Sequence, residues 1–172
     1  MGQDKASLPF RGKRLIEHIA AAVAEAAGSV TLIGPPDRYR DLGFRVVPDR
    51  RPGLGPLAGI HTALCESPAA WNLIVACDLP AISGDFLKRL KAAAEASASD
   101  FLIPAGPSGH LEPLCAAYHS GCRETIGAAL DRNVRKVTDG LAGLRMMTWN
   151  IPESSWFQNV NTPEEWTSYQ NG

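Results

Sequence analysis

The sequence predicts an α/β fold, with a Rossmann-like three-layer α/β/α arrangement around a mostly parallel central sheet. Short β-branched or apolar segments alternate along the chain with segments whose apolar residues recur at helical spacing. The strongest predicted strand, residues 71–77, is continuously apolar from Leu73, which is typical of a strand covered by helices on both faces. The 172 residues suit one core, and we expect residues 1–172 to form a single domain.

The first predicted element is a helix near the N-terminus. Leu15, Ile19 and Val23 recur at helical spacing, and Gly28 follows as a C-terminal stop. His18 falls on the opposite, polar face. We therefore expect His18 to be a solvated residue.

The remaining elements alternate between strands and helices. Further strands are predicted at residues 30–33, 44–47, 71–77, 101–104, 113–118 and within 144–149. Helices are predicted at residues 59–66, after a cap at Ser83 or Asp85, and at 120–130. Near the C-terminus, Thr162 is a good N-cap residue and Pro163 suits the first helical position.

Composition and charge narrow the possible partners. The formal net charge of −1 gives no overall field that favours nucleic acid or an anionic membrane. No apolar stretch approaches the roughly 20 residues that span a bilayer. The four cysteines have no zinc-ligand spacing, so a reduced cytoplasmic protein is the simplest interpretation.

Polar residues follow the ends of two predicted strands. In an open α/β sheet, ligands bind outside the carboxyl ends of the strands, where Asp49 and Asp78 both fall. A carboxylate that follows a buried strand, as Asp78 does, suits a Mg²⁺ site completed by substrate phosphates and water. The alternative is that Asp78 only begins a turn, as aspartates commonly do.

A glycine-rich loop, residues 52–59, lies between these two aspartates. Glycines let the backbone approach a ligand closely, and a helix N-terminus attracts anions. An ordinary strand-to-helix connection would have the same composition, and the spacing of Lys5 alone indicates only a solvated charge. No Ser/His/Asp or Cys/His arrangement stands out, which fits phosphoryl chemistry that depends on positioning and charge.

Four motifs in order give the chain a family resemblance. Residues 1–5 (M-G-Q-D-K) look like the end of the nucleotidyltransferase signature L-A-G-G-x-S-x-R-M-G-x-D-K. Residues 55–59 (G-P-L-A-G), 77–80 (C-D-L-P) and 159–165 (N-V-N-T-P-E-E) follow at suitable spacing. Over almost its whole length the chain resembles the molybdenum cofactor guanylyltransferases, and the last motif is the most discriminating of the four.

The resemblance implies transfer of GMP from GTP to molybdopterin, with release of pyrophosphate and with Mg²⁺ as cofactor. By that resemblance, Lys5 neutralises the triphosphate and Asp78 binds the metal, with Asn161 as a further metal ligand. The nucleotide would contact Lys5, Asp78 and these residues: Asp49, Gly55, Leu57, Ala58 and Gly59.

The acceptor side and the protein partners also follow from the resemblance. Asn159 and Asn161 would line the acceptor side, and Arg135 would grip the pterin phosphate unless it is simply a solvated loop residue. Proteins that supply molybdopterin and proteins that mature molybdoenzymes are the implied transient partners.

One part of the family pattern has no counterpart in residues 1–172. The family's first strand and its L-A-G-G-x-S-x-R loop would precede Met1. We expect a start assigned at an internal methionine of a longer protein. The alternative is a chain that begins at Met1 and has a gap in its sheet. Three functions remain open: the guanylyltransferase, a cytidylyltransferase or sugar-phosphate nucleotidylyltransferase, and a non-catalytic nucleotide-binding relative.

Overall fold

Helices and strands alternate along residues 5–157, the part of the chain that a computed structural model describes. The helices are α1 (Leu15–Ala27), α2 (Pro36–Tyr39), α3 (Pro56–Glu66), α4 (Gly84–Glu95), α5 (Cys122–Asp131) and α6 (Val137–Gly140). The strands are β1 (Pro9–Phe10), β2 (Lys13–Arg14), β3 (Thr31–Ile33), β4 (Arg45–Val47), β5 (Trp71–Val75), β6 (Phe101–Ala105), β7 (Cys115–His119) and β8 (Met146–Asn150).

The main helices follow the sequence signals, except that α3 begins before the predicted residue. Helix α1 ends where predicted, because Gly28 adopts a left-handed conformation with φ of 79° and its N–H donates to the Ala24 carbonyl oxygen at 2.8 Å. Helix α3 begins three residues before the predicted Gly59. Gly55 caps it with φ of 78°, and Pro56 occupies the first helical position, where no N–H is needed.

The strands confirm the α/β class but form a mixed arrangement. A four-stranded sheet has the order β5-β7-β6-β8, and β3 pairs separately with β4. The pairs β3–β4 and β6–β8 are parallel, whereas β7 runs antiparallel to both β5 and β6. In the four-stranded sheet β5, β6 and β8 therefore run in one direction, as a mostly parallel sheet predicts, and β7 is the antiparallel member. The loop 106–114 between β6 and β7 is too short for the helical crossover that parallel neighbours require.

Alternate residues of the central strands pack against two helical layers. On one face, Leu102 and Ala117 join the apolar side chains of α1 and α4. On the other face, Ile103 and Tyr118 join those of α3 and α5. This alternation produces the three-layer arrangement. Within residues 5–157, no helix combines the length and the apolar character that crossing a bilayer requires.

An open channel separates β3 from β5. Two adjoining cavities, of about 370 and 360 Å³, are lined by residues of both strands, with Val23 of α1 and Ala63 of α3 also lining both. One cavity contains the first residues of the two strands and the other reaches their last residues, so β3 and β5 run in the same direction. Strands β3 and β5 belong to separate sheets, and the channel lies between them. It leaves β5 half-buried, although its apolar sequence predicted burial on both faces.

The hydrogen-bond register shows what the two strands present to the channel. Ser120 N–H donates to the Ala70 carbonyl at 2.7 Å and Ala76 N–H to the Leu114 carbonyl at 2.6 Å, so even-numbered residues of β5 bond to β7. The backbone groups of Leu73 therefore point away from β7 and into the channel. Both helical layers and one edge of each flanking strand thus border an open, mainly apolar space.

Candidate functional site

Lys5 and Asp78, the two predicted catalytic residues, lie together at the carboxyl end of β5. The strand stays bonded to its neighbour as far as Ala76, and Asp78 lies two residues further along the chain. Lys5 lies in a short 3-10 segment, Lys5–Ser7. Lys5 Nζ is 3.8 Å from Asp78 Oδ2, and the two side chains are 37% and 25% exposed. A cation and a carboxylate are therefore held together at the surface of the predicted crevice.

Asp49 follows β4 and is fixed by its neighbours. Its Oδ1 accepts hydrogen bonds from the Arg51 backbone N–H at 3.0 Å and from Thr62 Oγ1 at 2.9 Å. Thr62 belongs to α3, so the end of β4 is tied to the helix that follows the glycine-rich loop. The half-buried Asp49 carboxylate keeps a defined orientation, which suits a residue that binds ligand.

The glycine-rich loop leads into α3 as predicted, but its apolar residues face the core. Leu57 and Ala58 are fully buried, with 0% exposure each. Of the backbone donors at the helix start, Pro56 has none and Ala58 N–H already donates to the Gly55 carbonyl at 3.1 Å. Contact between a ligand and Leu57 or Ala58 would therefore be limited to backbone atoms. Gly59 lines the channel.

Of the three predicted acceptor-side residues, only Arg135 lies within the described part of the chain. Arg135 is exposed in the loop between α5 and α6, where its Nε donates to Asn133 Oδ1 at 3.4 Å. Asn159 and Asn161 lie outside the described residues. The roles of all three remain predictions.

Glu112, which the sequence analysis did not single out, lies near enough to Asp78 for the two carboxylates to interact. In the antiparallel pairing of β5 with β7, Val75 is the partner of Cys115, and the bond from Ala76 to Leu114 extends that register. Both segments then turn, and the Cys115 N–H donates to the Glu112 carbonyl at 3.0 Å. The Asp78 charge still reaches Glu112 and raises its pKa. No sequence signal marks Glu112, because the strand pairing has to be known first.

Few protein groups offset the negative charge of the Glu112 carboxylate. Its side chain is 16% exposed, and within residues 5–157 its only ion-pair partner is His110, whose Nε2 is 3.9 Å from Glu112 Oε1. Burial raises the pKa of Glu112 above its ordinary value, the charge of His110 opposes this rise, and the Asp78 carboxylate adds to it. The site thus contains a second, mostly covered carboxylate that a ligand or metal could satisfy.

His18 supports the loop that follows Asp78, contrary to the expectation that it is solvated. Its ring centroid is 4.7 Å from that of Phe10, in an edge-on arrangement. Burial lowers the pKa of His18, whereas the nearby backbone of Pro80 and Ile82 acts in the opposite direction. The ring therefore packs between α1 and the loop, a contact between distant residues that helical spacing alone does not reveal.

The donor groups at the site suit a cation that phosphates help to bind. Within residues 5–157, no three His, Cys, Asp or Glu side chains cluster closely enough to form a metal site by themselves. Asp78 and Glu112 offer hard carboxylate oxygens, and Lys5 adds a positive charge beside them. Mg²⁺ commonly uses one or two carboxylates and completes its shell with water and substrate phosphates. These residues fit that pattern.

Known sequences resemble this chain over most of its length. A family model described as "MobA-like NTP transferase domain" matches residues 1–145. A relative from Pelotomaculum thermopropionicum, named "Probable molybdenum cofactor guanylyltransferase", is 37% identical over 96% of this chain and 83% of its own length.

Solved structures share the fold. Molybdopterin-guanine dinucleotide biosynthesis protein A from Archaeoglobus fulgidus superposes with a TM-score of 0.83 at 24% identity, over 99% of this chain and 90% of its own. The 2-C-methyl-D-erythritol 4-phosphate cytidylyltransferase from Thermus thermophilus gives a TM-score of 0.75 at 18% identity, over 97% of this chain and 92% of its own.

Proposed function

Because the chain belongs to the MobA-like NTP transferase family, we propose that it transfers GMP from GTP to molybdopterin, the organic part of the molybdenum cofactor. A terminal phosphate oxygen of molybdopterin attacks the α-phosphorus of GTP. The bond from that phosphorus to the β-phosphate bridging oxygen breaks, and pyrophosphate leaves with the bonding electrons. The observation that carries this proposal is the pairing of Lys5 with Asp78 beside the glycine-rich loop.

The chain's own residues act by binding and by placing charge. The Lys5 ammonium group stabilises the negative charge that builds up on the triphosphate as the leaving group departs. Asp49, held by α3, and the backbone of residues 55–59 bind the nucleotide. Asn159, Asn161 and Arg135 contact the acceptor.

Asp78 would hold Mg²⁺, with Asn161 as a second protein ligand. Such a cation would supply positive charge to the phosphate oxygens of the triphosphate. The support for this assignment is the position of Asp78 at a strand end, with oxygen donors and Lys5 beside it.

The test is nucleotide binding followed by turnover. Isothermal titration with GTP, CTP, ATP and UTP in Mg²⁺ should give the tightest binding for GTP. Incubation with GTP and molybdopterin should then release pyrophosphate. Tightest binding of CTP would replace this proposal with a cytidylyltransferase.

A second candidate is a non-catalytic nucleotide-binding relative. The open channel favours it, because Ala6 and Gly59, both beside the proposed site, line a space that a continuous sheet would fill. This candidate expects GTP to bind without release of pyrophosphate, so the same two assays separate it from the enzyme.

The cellular setting completes the proposal. We place residues 1–172 in one cytoplasmic domain that makes transient contacts with proteins supplying molybdopterin and with proteins maturing molybdoenzymes. The four cysteines, none in a disulfide, support a reducing compartment. Co-purification with a molybdoenzyme maturation protein would test these contacts.

A further inference from the structure

Apart from tyrosine and cysteine side chains, Thr62 is the only polar residue that is buried within residues 5–157, with 0% exposure. It lies in the middle of α3, between apolar neighbours that belong to the core. A buried hydroxyl group is costly unless hydrogen bonds satisfy it. The hydrogen bonds of Thr62 therefore indicate which interactions stabilise a buried hydroxyl group at this position.

Both hydrogen-bonding functions of the Thr62 hydroxyl are directed at the end of β4. Oγ1 donates to Asp49 Oδ1 at 2.9 Å and accepts from the Arg50 backbone N–H at 3.0 Å. One hydroxyl group can do both at once, whereas an apolar side chain of the same shape can do neither. Thr62 thus connects α3 with the start of the glycine-rich loop.

This contact leaves one oxygen of Asp49 for a ligand. Oδ1 already accepts two hydrogen bonds, from Thr62 and from the Arg51 backbone N–H. Within residues 5–157, Oδ2 accepts none. A carboxylate held by one oxygen presents the other in a fixed direction, so little rotational freedom is lost when a ligand binds.

We propose that Thr62 is a positioning residue for nucleotide binding, which orients the Asp49 carboxylate so that Oδ2 accepts a hydrogen bond from a hydroxyl or amino group of the nucleoside. This proposal rests on the proposed function, because it takes Asp49 as a nucleotide-binding residue. Thr62 itself does not touch the nucleotide.

A second connection between the same elements provides a control. Glu66 lies one helical turn after Thr62 and forms ion pairs with Arg45 at 2.6 Å and Arg50 at 2.7 Å. The Glu66 carboxylate also holds the β4 end to α3, but it does not contact Asp49. A variant at Glu66 therefore loosens the same junction without releasing the Asp49 carboxylate.

The experiment measures the affinity for GTP in Mg²⁺ by isothermal titration, with thermal melting to verify folding. Thr62→Val should weaken GTP binding about tenfold, the effect expected when one hydrogen bond to a charged group loses its geometry. Thr62→Ser, which retains the hydroxyl group, should bind GTP within about threefold of wild type. Glu66→Gln should bind within about twofold.

A double-mutant cycle separates positioning from general loosening. In an Asp49→Ala background, Thr62→Val should weaken GTP binding no further, because the carboxylate that it positions is absent. It should still lower the melting temperature, since the Arg50 N–H loses its acceptor. If Thr62→Val does not fold at the assay temperature, Thr62→Ala replaces it, because the smaller side chain leaves room for a bridging water.

Two results would overturn the proposal. Unchanged GTP affinity in Thr62→Val is the first, and an equal loss in the presence and absence of Asp49 is the second. Failure of the wild-type protein to bind any of the four nucleotides would instead reject the proposed function, and the role of Thr62 with it.

Discussion

Lys5 Nζ lies 3.8 Å from Asp78 Oδ2, although the two residues are far apart in the sequence. Both side chains are partly exposed, and exposed ion pairs typically stabilise a protein by only about 0–1 kcal/mol. The pair therefore contributes little to folding. Its value is that it places a cation and a carboxylate together where a phosphate–metal complex can enter.

We expect Asp78→Asn to remove catalysis and leave the fold intact. The amide is a much poorer Mg²⁺ ligand than the carboxylate, so pyrophosphate release with GTP and molybdopterin should fall by about 10²-fold or more. Because the ion pair is weak, the melting temperature should change little. A coupled pyrophosphate assay and thermal melting measure the two quantities.

Asp85→Asn is the matched control for that variant. Asp85 lies in the first turn of α4, is 88% exposed, and has Lys88 3.5 Å away. Its turnover should equal that of wild type. Undiminished activity in Asp78→Asn would remove Asp78 from the mechanism.

We expect Glu112→Gln to stabilise the protein at neutral pH. Burial raises the pKa of Glu112, so the ionised carboxylate is less favourable in the folded than in the unfolded state. This cost is absent below the unfolded pKa of about 4.3 and grows as the pH rises above it. The variant should therefore melt higher than wild type at pH 7 and at the same temperature near pH 3.5.

The activity of the Glu112 variant adds a second measurement. A carboxylate near Asp78 that lowers stability is expected to serve ligand binding, so Glu112→Gln should lose turnover as it gains stability. Glu124→Gln, in the first turn of α5, is the control. A Glu112→Gln protein with lower stability at pH 7 would contradict the explanation.

We expect Asp100→Asn to destabilise the protein in a pH-dependent way. Asp100 accepts hydrogen bonds from the backbone N–H and the side chain of Arg145, and Arg145 lowers the pKa of Asp100 to about 2. Because the folded-state pKa is depressed, the stabilisation is fully present above the unfolded pKa of about 3.9. The difference in melting temperature from wild type should be constant from pH 5 to 7 and disappear as the pH falls towards 2.

Asp139→Asn is the comparison for Asp100. Asp139 is 59% exposed and lies 3.7 Å from Lys136, so its removal should have little effect at any pH. A loss for Asp100→Asn that persists at pH 2 would show that the carboxylate charge is not the cause.

We expect Leu102→Ala to be more destabilising than Leu73→Ala. Leu102 of β6 is 0% exposed and should lose about 2–5 kcal/mol on truncation. Leu73 of β5 is half-buried and lines the channel, so its truncation removes less buried surface and should cost about 1–2 kcal/mol. Urea unfolding measures both. Equal losses would indicate that the channel is closed in solution.

Local signals in the sequence were sufficient for most helices. Apolar spacing and Gly28 fixed the limits of α1, and Ser83 caps α4 by accepting a hydrogen bond from Phe86 N–H. The direction of β7 could not be predicted in this way. An apolar pattern indicates that a strand is buried, but it does not indicate whether the strand runs parallel or antiparallel to its neighbours. The same pattern also overestimated the burial of β5, since burial depends on whether a neighbouring strand is present.

The candidate site was predicted only in part, for a related reason. Asp78 is visible as a carboxylate after an apolar strand, and the family resemblance was needed to add Lys5. Glu112 and Thr62 gave no signal, because their importance depends on strand register and on a contact between β4 and α3. The role of such a residue can be predicted only when the residues that contact it in the folded protein are known.

The parallel strands that border the channel also affect the tendency of the protein to self-associate at high concentration. Unpaired edges act as templates on which a foreign polypeptide can add, and natural proteins usually protect them with charge, proline or a covering helix. Here the lining is mainly apolar, and Leu73 directs its amide and carbonyl groups into it. Self-association should therefore increase steeply with concentration, and preparations for binding studies are best kept dilute and cold.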